Sequence, residues 1–235
     1  MIKQEYVYSD NLDLLEETRE FMITSRNAVT NNIQMGLNYS IILTSVLILE
    51  SKFERLLYAI VNYYDDIYVK YMGHIDIAED TLIEKNYRNF LNNFFERTKS
   101  QISKNTGISH YKNMLSTLID NYTPTQEMKN LEEGIEVLFQ LRNVLAHGRV
   151  IRFDVKTYMP YPTYEVENVE VDFKGGYKKA EDYLYKHGLI EKKCIETRDF
   201  HILFTNEISN YFVDLQNKYI DECYKSIPFV IDEYL

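Results

Sequence analysis

The chain of 235 residues is long enough for one sizeable hydrophobic core, carries a formal net charge of −10 and contains two cysteines. The excess of acidic residues argues against a protein that coats nucleic acids non-specifically. The two cysteines form neither a disulfide framework nor a metal-ligand pattern. The most apolar run, 41–49, is nine residues long, whereas a membrane span needs about 20. Residues 1–10 lack the charge order of a signal peptide. We therefore expect a cytoplasmic protein that does not enter a membrane.

The first half of the sequence predicts four helices in succession. Apolar residues recur there at steps of three and four, which places them on one side of each helix. The run 41–49 is apolar nearly all round, so neighbouring helices or a second subunit should cover it on several sides. The four predicted helices span residues 10–29, 41–72, 81–104 and 109–119.

A fifth helix is predicted between Thr123 and Gly148. Thr123 provides a capping hydroxyl, Pro124 suits the first helical position and Gln126 completes a capping box, while Gly148 suits the end of a helix. Continuing the apolar stripe of this helix by one turn brings Arg142 to its centre. The stripe itself consists of Met128, Leu131, Ile135, Leu138, Phe139, Leu141 and Leu145.

Arg142 needs a partner, because burying a guanidinium alone would cost several kcal/mol. Glu50 lies on the flank of the stripe of the second helix, and Glu54 lies one turn further on. Either carboxylate is a candidate partner, although a helical glutamate usually faces solvent. Asn143 and His147 are four residues apart and share a helix face beside the stripe. We therefore predict that several polar groups converge where this helix ends.

After Gly148 the hydrophobic period changes from 3.6 to two, which indicates strands. The predicted elements are a β-hairpin over 149–174, a short helix over 178–187 and a last helix between Thr205 and Pro228. The expected fold class is mainly α. Residues 1–147 should form a helical bundle that carries the Arg142 region at its end, and residues 148–235 should pack on that bundle within the same domain.

A small basic patch adjoins His147 in the sequence. Arg149, Arg152 and Lys156 face a single acidic residue, Asp154. The patch is either a charged strand face or a surface that contacts the phosphates of a nucleic acid.

The sequence Arg142-Asn143-x-x-x-His147-Gly148, at the end of a core helix late in a helical bundle, resembles the signature of the HEPN superfamily. The resemblance rests on these motif residues and on the helical layout of residues 10–147. It implies a HEPN-like bundle and a metal-independent endoribonuclease, without a cofactor, that acts in phage defence, a toxin system or RNA processing. The arginine and histidine of the family map onto Arg142 and His147.

The resemblance also implies partners. If the chain is similar to the nucleases of this family, it forms a homodimer in which each subunit contributes one arginine and one histidine to a shared site. An antitoxin or another regulatory protein is a further implied partner. The subfamily that a nucleotidyltransferase antitoxin modifies carries a tyrosine two residues after the histidine, and Arg149 stands at that position here.

Two hypotheses about function follow from these residues. In the first, His147 is the general base, because an unperturbed histidine pKa of about 6.5 suits proton transfer near neutral pH. Arg142 then stabilises charge on a phosphate, and Asn143 orients His147 or the phosphate. In the second, the chain is a non-catalytic binding or dimerisation module, and Arg142 and His147 belong to a buried polar network that fixes helix register.

Overall fold

The structure is a computed structural model that describes residues 10–72, 82–146, 153–158, 168–173, 176–193 and 200–229. These ranges are mainly helical, which confirms the predicted class. They contain short 3-10 turns at Arg26–Ala28 and Phe200–Leu203 and the following elements: α1 (Asp10–Ser25), α2 (Asn31–Met72), α3 (Leu82–Ile102), α4 (Ile108–Leu118), α5 (Gln126–Ala146), β1 (Phe153–Tyr158), β2 (Asn168–Phe173), α6 (Gly176–Lys186) and α7 (Asn206–Lys225).

Helix α2 forms the centre of the core. It packs against α1, α3, α4, α5 and α7, and its predicted stripe is fully buried from Ile42 to Ile60. Phe53 in this stripe stacks on Tyr111 of α4, with ring centroids 4.9 Å apart, and meets Tyr219 of α7 edge to face. The core is therefore built around one 42-residue helix.

The apolar run 41–49 is covered within one chain. Ile41, Ile42, Ile48 and Leu49 are fully buried, and of the large apolar residues in the run only Leu47 is substantially exposed. At the start of the run, Ile41 packs in a buried cluster with Met22 of α1 and Val213 of α7. A second subunit is consequently not needed to cover the run, so its composition no longer argues for a dimer.

Helix α3 is less covered than its apolar pattern suggests. Its stripe faces α2 only in part: Phe95 is buried, whereas Tyr87, Phe90 and Phe94 are exposed. Among the described elements, α3 packs mainly against α2, which covers one flank of a wide apolar face.

The start of α5 differs from the predicted one. Thr125, and not Thr123, caps the helix, because its hydroxyl oxygen accepts a hydrogen bond of 3.0 Å from the backbone N–H of Met128. Pro124 precedes the helix. Thr123 instead donates its hydroxyl to the carbonyl of Asn121, which is a turn contact. The helix ends at Ala146, and Gly148 lies outside the described residues.

The two strands pair antiparallel, with Phe153 opposite Phe173 and Tyr158 opposite Asn168. Helices α6 and α7 both pack on α5, and α7 also packs on α2. At one crossing the helices meet at Gly134, where a Cβ atom would collide with Tyr183 of α6 and Leu215 of α7. Helices from both halves of the chain thus share one core.

Among the described residues, the segment Asn31–Lys70 is long and apolar enough to cross a membrane by length and composition alone. The sequence prediction rests on the run 41–49, which is only part of this segment. A core helix passes the same test, and α2 occupies the core. The segment is therefore weak evidence for a membrane span.

Candidate functional site

Arg142 and Glu50 meet where the end of α5 crosses the middle of α2. Arg142 lies one turn before the last residue of α5, and Glu50 follows the fully buried Leu49 in α2. Glu50 lies on the flank of the apolar stripe of α2, and Arg142 continues the apolar stripe of α5 through which the two helices pack. The packing of the stripes therefore brings a cation and a carboxylate together, as predicted from the sequence.

The contact holds the guanidinium in a fixed position. Nη2 of Arg142 donates to both carboxylate oxygens of Glu50, at 2.8 and 2.7 Å. Nη1 of the same guanidinium donates to Oδ1 of Asn143 at 2.9 Å. A guanidinium carries five N–H donors, so these bonds leave donors for a further anion.

Glu50 is the more buried partner, since its side chain is 9% exposed and that of Arg142 is 20% exposed. Burial raises the pKa of the Glu50 carboxyl above its ordinary value, although the hydrogen bond and charge of Arg142 lower it. The arginine thus offsets only part of the cost of removing the carboxylate from water. The exposed edge of this ion pair is the guanidinium.

The second candidate partner, Glu54, lies elsewhere. It interacts with His110 and Tyr111 of α4 and with the neighbouring Glu50. Burial, followed by the charge of Glu50, raises the pKa of the Glu54 carboxyl, whereas His110 and Tyr111 lower it. Glu54 is therefore not the partner of Arg142 in this fold.

Tyr111 and His110 are residues that the sequence did not single out. Tyr111 is fully buried, and neither its hydroxyl nor Nε2 of His110 has a hydrogen bond of regular geometry within the described ranges. Burial and the charges of Glu50 and Glu54 raise the pKa of Tyr111. The sequence pattern gives little indication of their position near Glu50 and Glu54. Tyr111 belongs to the apolar stripe of α4, and a tyrosine in such a stripe usually indicates packing.

The remaining predicted site residues are only partly described. Asn143 is exposed on the last turn of α5. His147, Arg149 and Arg152 lie outside the described residues, and Lys156 lies in β1, where the structure describes its backbone only. The structure therefore brings together Arg142, Asn143 and Glu50 from the predicted set.

No group of three or more histidine, cysteine, aspartate or glutamate side chains is placed to hold a metal ion in the part of the chain that the structure describes. No family model, curated protein or solved structure matches this chain.

Proposed function

We propose that this protein is a metal-independent endoribonuclease of HEPN type, with a HEPN-like bundle as its framework. The observation that carries the proposal is the Arg142 guanidinium at the end of α5, which Glu50 and Asn143 hold in place and which keeps an exposed edge. His147 follows the last residue of this helix directly in the sequence. An oriented cation next to a candidate general base is what cleavage of a phosphodiester requires.

In the proposed reaction, His147 takes the proton of a ribose 2′-hydroxyl. The 2′ oxygen then forms a bond to the adjacent phosphorus, the bond from phosphorus to the 5′ oxygen breaks, and that oxygen takes up a proton. The free donors of Arg142 stabilise the charge that develops on the phosphoryl oxygens. Asn143 acts as a positioning residue, because it accepts from Arg142. The products are a 2′,3′-cyclic phosphate and a 5′-hydroxyl.

The proposal includes the surroundings of the site. Arg149, Arg152 and Lys156 contact the backbone phosphates of the RNA. Two chains form a homodimer in which each contributes one Arg142 and one His147. The enzyme acts in the cytoplasm without a cofactor, in phage defence, a toxin system or RNA processing, and an antitoxin or another regulatory protein restrains it.

A second candidate function is a non-catalytic binding or dimerisation module. One observation favours it: Glu50 of the same chain already compensates the charge of Arg142. An arginine that serves only to fix the register of α5 on α2 would have the same partner.

Incubation of a pool of cellular RNAs with the pure protein separates the two functions. The nuclease predicts cleavage by the wild type and a loss of about 10²–10⁴-fold in rate for His147→Ala and for Arg142→Ala. His187→Ala and Arg97→Ala are matched controls, because both residues are exposed and lie outside the proposed site. Wild-type protein that cleaves no RNA would support the binding module instead.

A further inference from the structure

We infer that a cleft at the N-terminal ends of α2 and α7 binds a nucleobase, either of a free nucleotide or of an RNA strand. The cleft has a volume of about 920 Å³, which lies in the range of small-molecule sites. Three parts of the chain form its walls: the first two turns of α2, residues 189–192 after α6, and the chain from 201 into the first turn of α7. It is separate from the Arg142 site, with which it shares no residue.

One wall presents accessible amides. Asn31, Asn32 and Gln34 line the cleft from the start of α2, and Asn31 and Asn32 are exposed and Gln34 is partly exposed, so their amides are accessible to a ligand. Each amide carries a donor and an acceptor side by side, which is the pattern that pairs with the edge of a base. Three such groups on adjoining turns suit a ligand whose own edge alternates donors and acceptors.

The back of the cleft is rigid and polar. Asn38 is 2% exposed, and its amide nitrogen donates to the carbonyl of Phe204 at 3.0 Å and to Oδ1 of Asn206 at 2.9 Å. Its amide oxygen accepts from the buried Arg26 at 3.1 Å. Asn206 in turn donates to Asn27 at 3.0 Å. This network ties the starts of α2 and α7 together, so the cleft is formed before a ligand binds.

Apolar side chains provide a surface for the flat face of a base. Met35, Leu189 and Ile202 line the cleft and are partly exposed. Phe204 also lines the cleft but is only 2% exposed, and its ring packs edge to face against Tyr39, with centroids 4.1 Å apart, which supports this wall from behind. A ligand with a polar edge and apolar faces therefore matches both kinds of wall.

The charges in the cleft favour a base over an isolated phosphate. Glu191 and Glu207 line it together with Lys192. Two carboxylates repel a phosphate, although Lys192 and the two helix N-termini attract one. The same carboxylates accept hydrogen bonds from the amino groups of a base. The ligand class that uses all of these groups is the nucleobase.

Isothermal titration of the full chain with AMP, GMP, CMP and UMP tests this site, with ribose 5-phosphate as the probe that lacks a base. We expect at least one nucleotide to bind and ribose 5-phosphate to bind more than tenfold more weakly. The double variant Asn32→Ala/Gln34→Ala should raise the Kd of that nucleotide about tenfold or more. The matched control is Asn92→Ala/Asn93→Ala, which removes two exposed amides of α3 and should leave the Kd unchanged.

Three results would overturn the inference: no binding of any nucleotide, equal affinity for ribose 5-phosphate, or an unchanged Kd in the Asn32→Ala/Gln34→Ala variant. Titration with a hexanucleotide of the preferred base whose 2′-hydroxyls are methylated, so that 2′-hydroxyl attack cannot cleave it, identifies the source of the ligand. Tighter binding than the mononucleotide indicates an RNA strand, and weaker binding indicates a free nucleotide. RNA cleavage is not measured in this experiment, so its outcome is independent of the proposed nuclease activity.

Discussion

Arg142 and Glu50 are 92 residues apart in the sequence, and a single guanidinium nitrogen of the first donates to both carboxylate oxygens of the second. Their side chains are 20% and 9% exposed, so the ion pair is largely shielded from water. It fixes the end of α5 to the middle of α2. The orientation of the proposed catalytic arginine consequently depends on a buried acid of another helix.

Glu50→Ala should lower the free energy of unfolding by roughly 2 kcal/mol, because it leaves a mostly buried guanidinium without its charged acceptor. Urea denaturation followed by circular dichroism measures this change. The matched control is Lys186→Ala, which breaks an ion pair with Glu133 whose side chains are 63% and 59% exposed. An exposed pair should contribute only about 0–1 kcal/mol. Equal losses in the two variants would show that burial does not strengthen the Arg142 contact.

Glu54→Gln should change how stability depends on pH. Because burial and Glu50 raise the pKa of the Glu54 carboxyl above its usual 4.5, the folded chain holds this proton more tightly than the unfolded chain does. The resulting stabilisation is complete below the usual pKa and is lost as the pH rises through the raised one. His110 and Tyr111, which also face Glu54, oppose the shift without cancelling it.

Wild type should therefore lose stability relative to Glu54→Gln as the pH rises from below 4.5 towards neutrality. Urea titrations of both proteins across this interval provide the comparison. Stability curves that stay parallel across it would contradict the assigned environment of Glu54.

Two glycine substitutions in helices should have opposite effects. At Gly134 a Cβ atom would collide with the Tyr183 hydroxyl and lie 2.7 Å from Cδ2 of Leu215, so Gly134→Ala should destabilise the protein by about 1–3 kcal/mol. At Gly36 in α2 a Cβ atom meets nothing within 4 Å, so Gly36→Ala should stabilise it by about 0.5–1 kcal/mol through helix propensity. Thermal unfolding measures both. A stabilising Gly134→Ala would contradict the close approach of α5 to α6 and α7.

Arg152→Ala should weaken RNA binding without slowing the chemical step, because the proposed role of Arg152 is contact with a backbone phosphate. Binding of a non-cleavable RNA at several salt concentrations measures this effect. The slope of log K against log salt should fall by about one unit in the variant. An unchanged slope would remove Arg152 from the proposed RNA surface.

The buried side of α2 and a carboxylate of α2 as a candidate partner of Arg142 could be predicted from the sequence, because both depend on which side of a helix is apolar. The sequence left Glu50 and Glu54 both open, and the fold selects Glu50. A stripe that repeats from Ile42 to Ile60 fixes the buried side of α2, and Glu50 lies on its flank. The same reasoning places Arg142 at the centre of the stripe of α5, one turn further along the helix. Two helices that pack through their stripes bring such residues together.

The exposure of α3 could not be predicted in the same way. Periodicity identifies the apolar side of a helix and does not reveal whether another element covers it. Phe90 continues a regular pattern and is nevertheless 64% exposed, since α2 is the main neighbour of α3 among the described elements.

The residues around Arg26 in the sequence also do not indicate that this arginine is buried. It is 3% exposed, and it donates to Asn38 of α2 and to Ser209 and Asn210 of α7, the last two more than 180 residues away in the sequence. Only the packed helices bring these neutral acceptors around the arginine. The amide-lined cleft depends on the same long-range arrangement, which is why the sequence did not indicate it.

The most direct test of the proposed nuclease is the chemistry of the RNA ends. Wild-type protein is incubated with an RNA pool in EDTA, and the products are examined for their terminal groups, with DNA of the same sequences in parallel. We predict 2′,3′-cyclic phosphate and 5′-hydroxyl ends, intact DNA because it lacks the 2′-hydroxyl, and a loss of most of this cleavage in His147→Ala. Intact RNA with the wild type, or equal cleavage by the wild type and His147→Ala, would contradict the proposal.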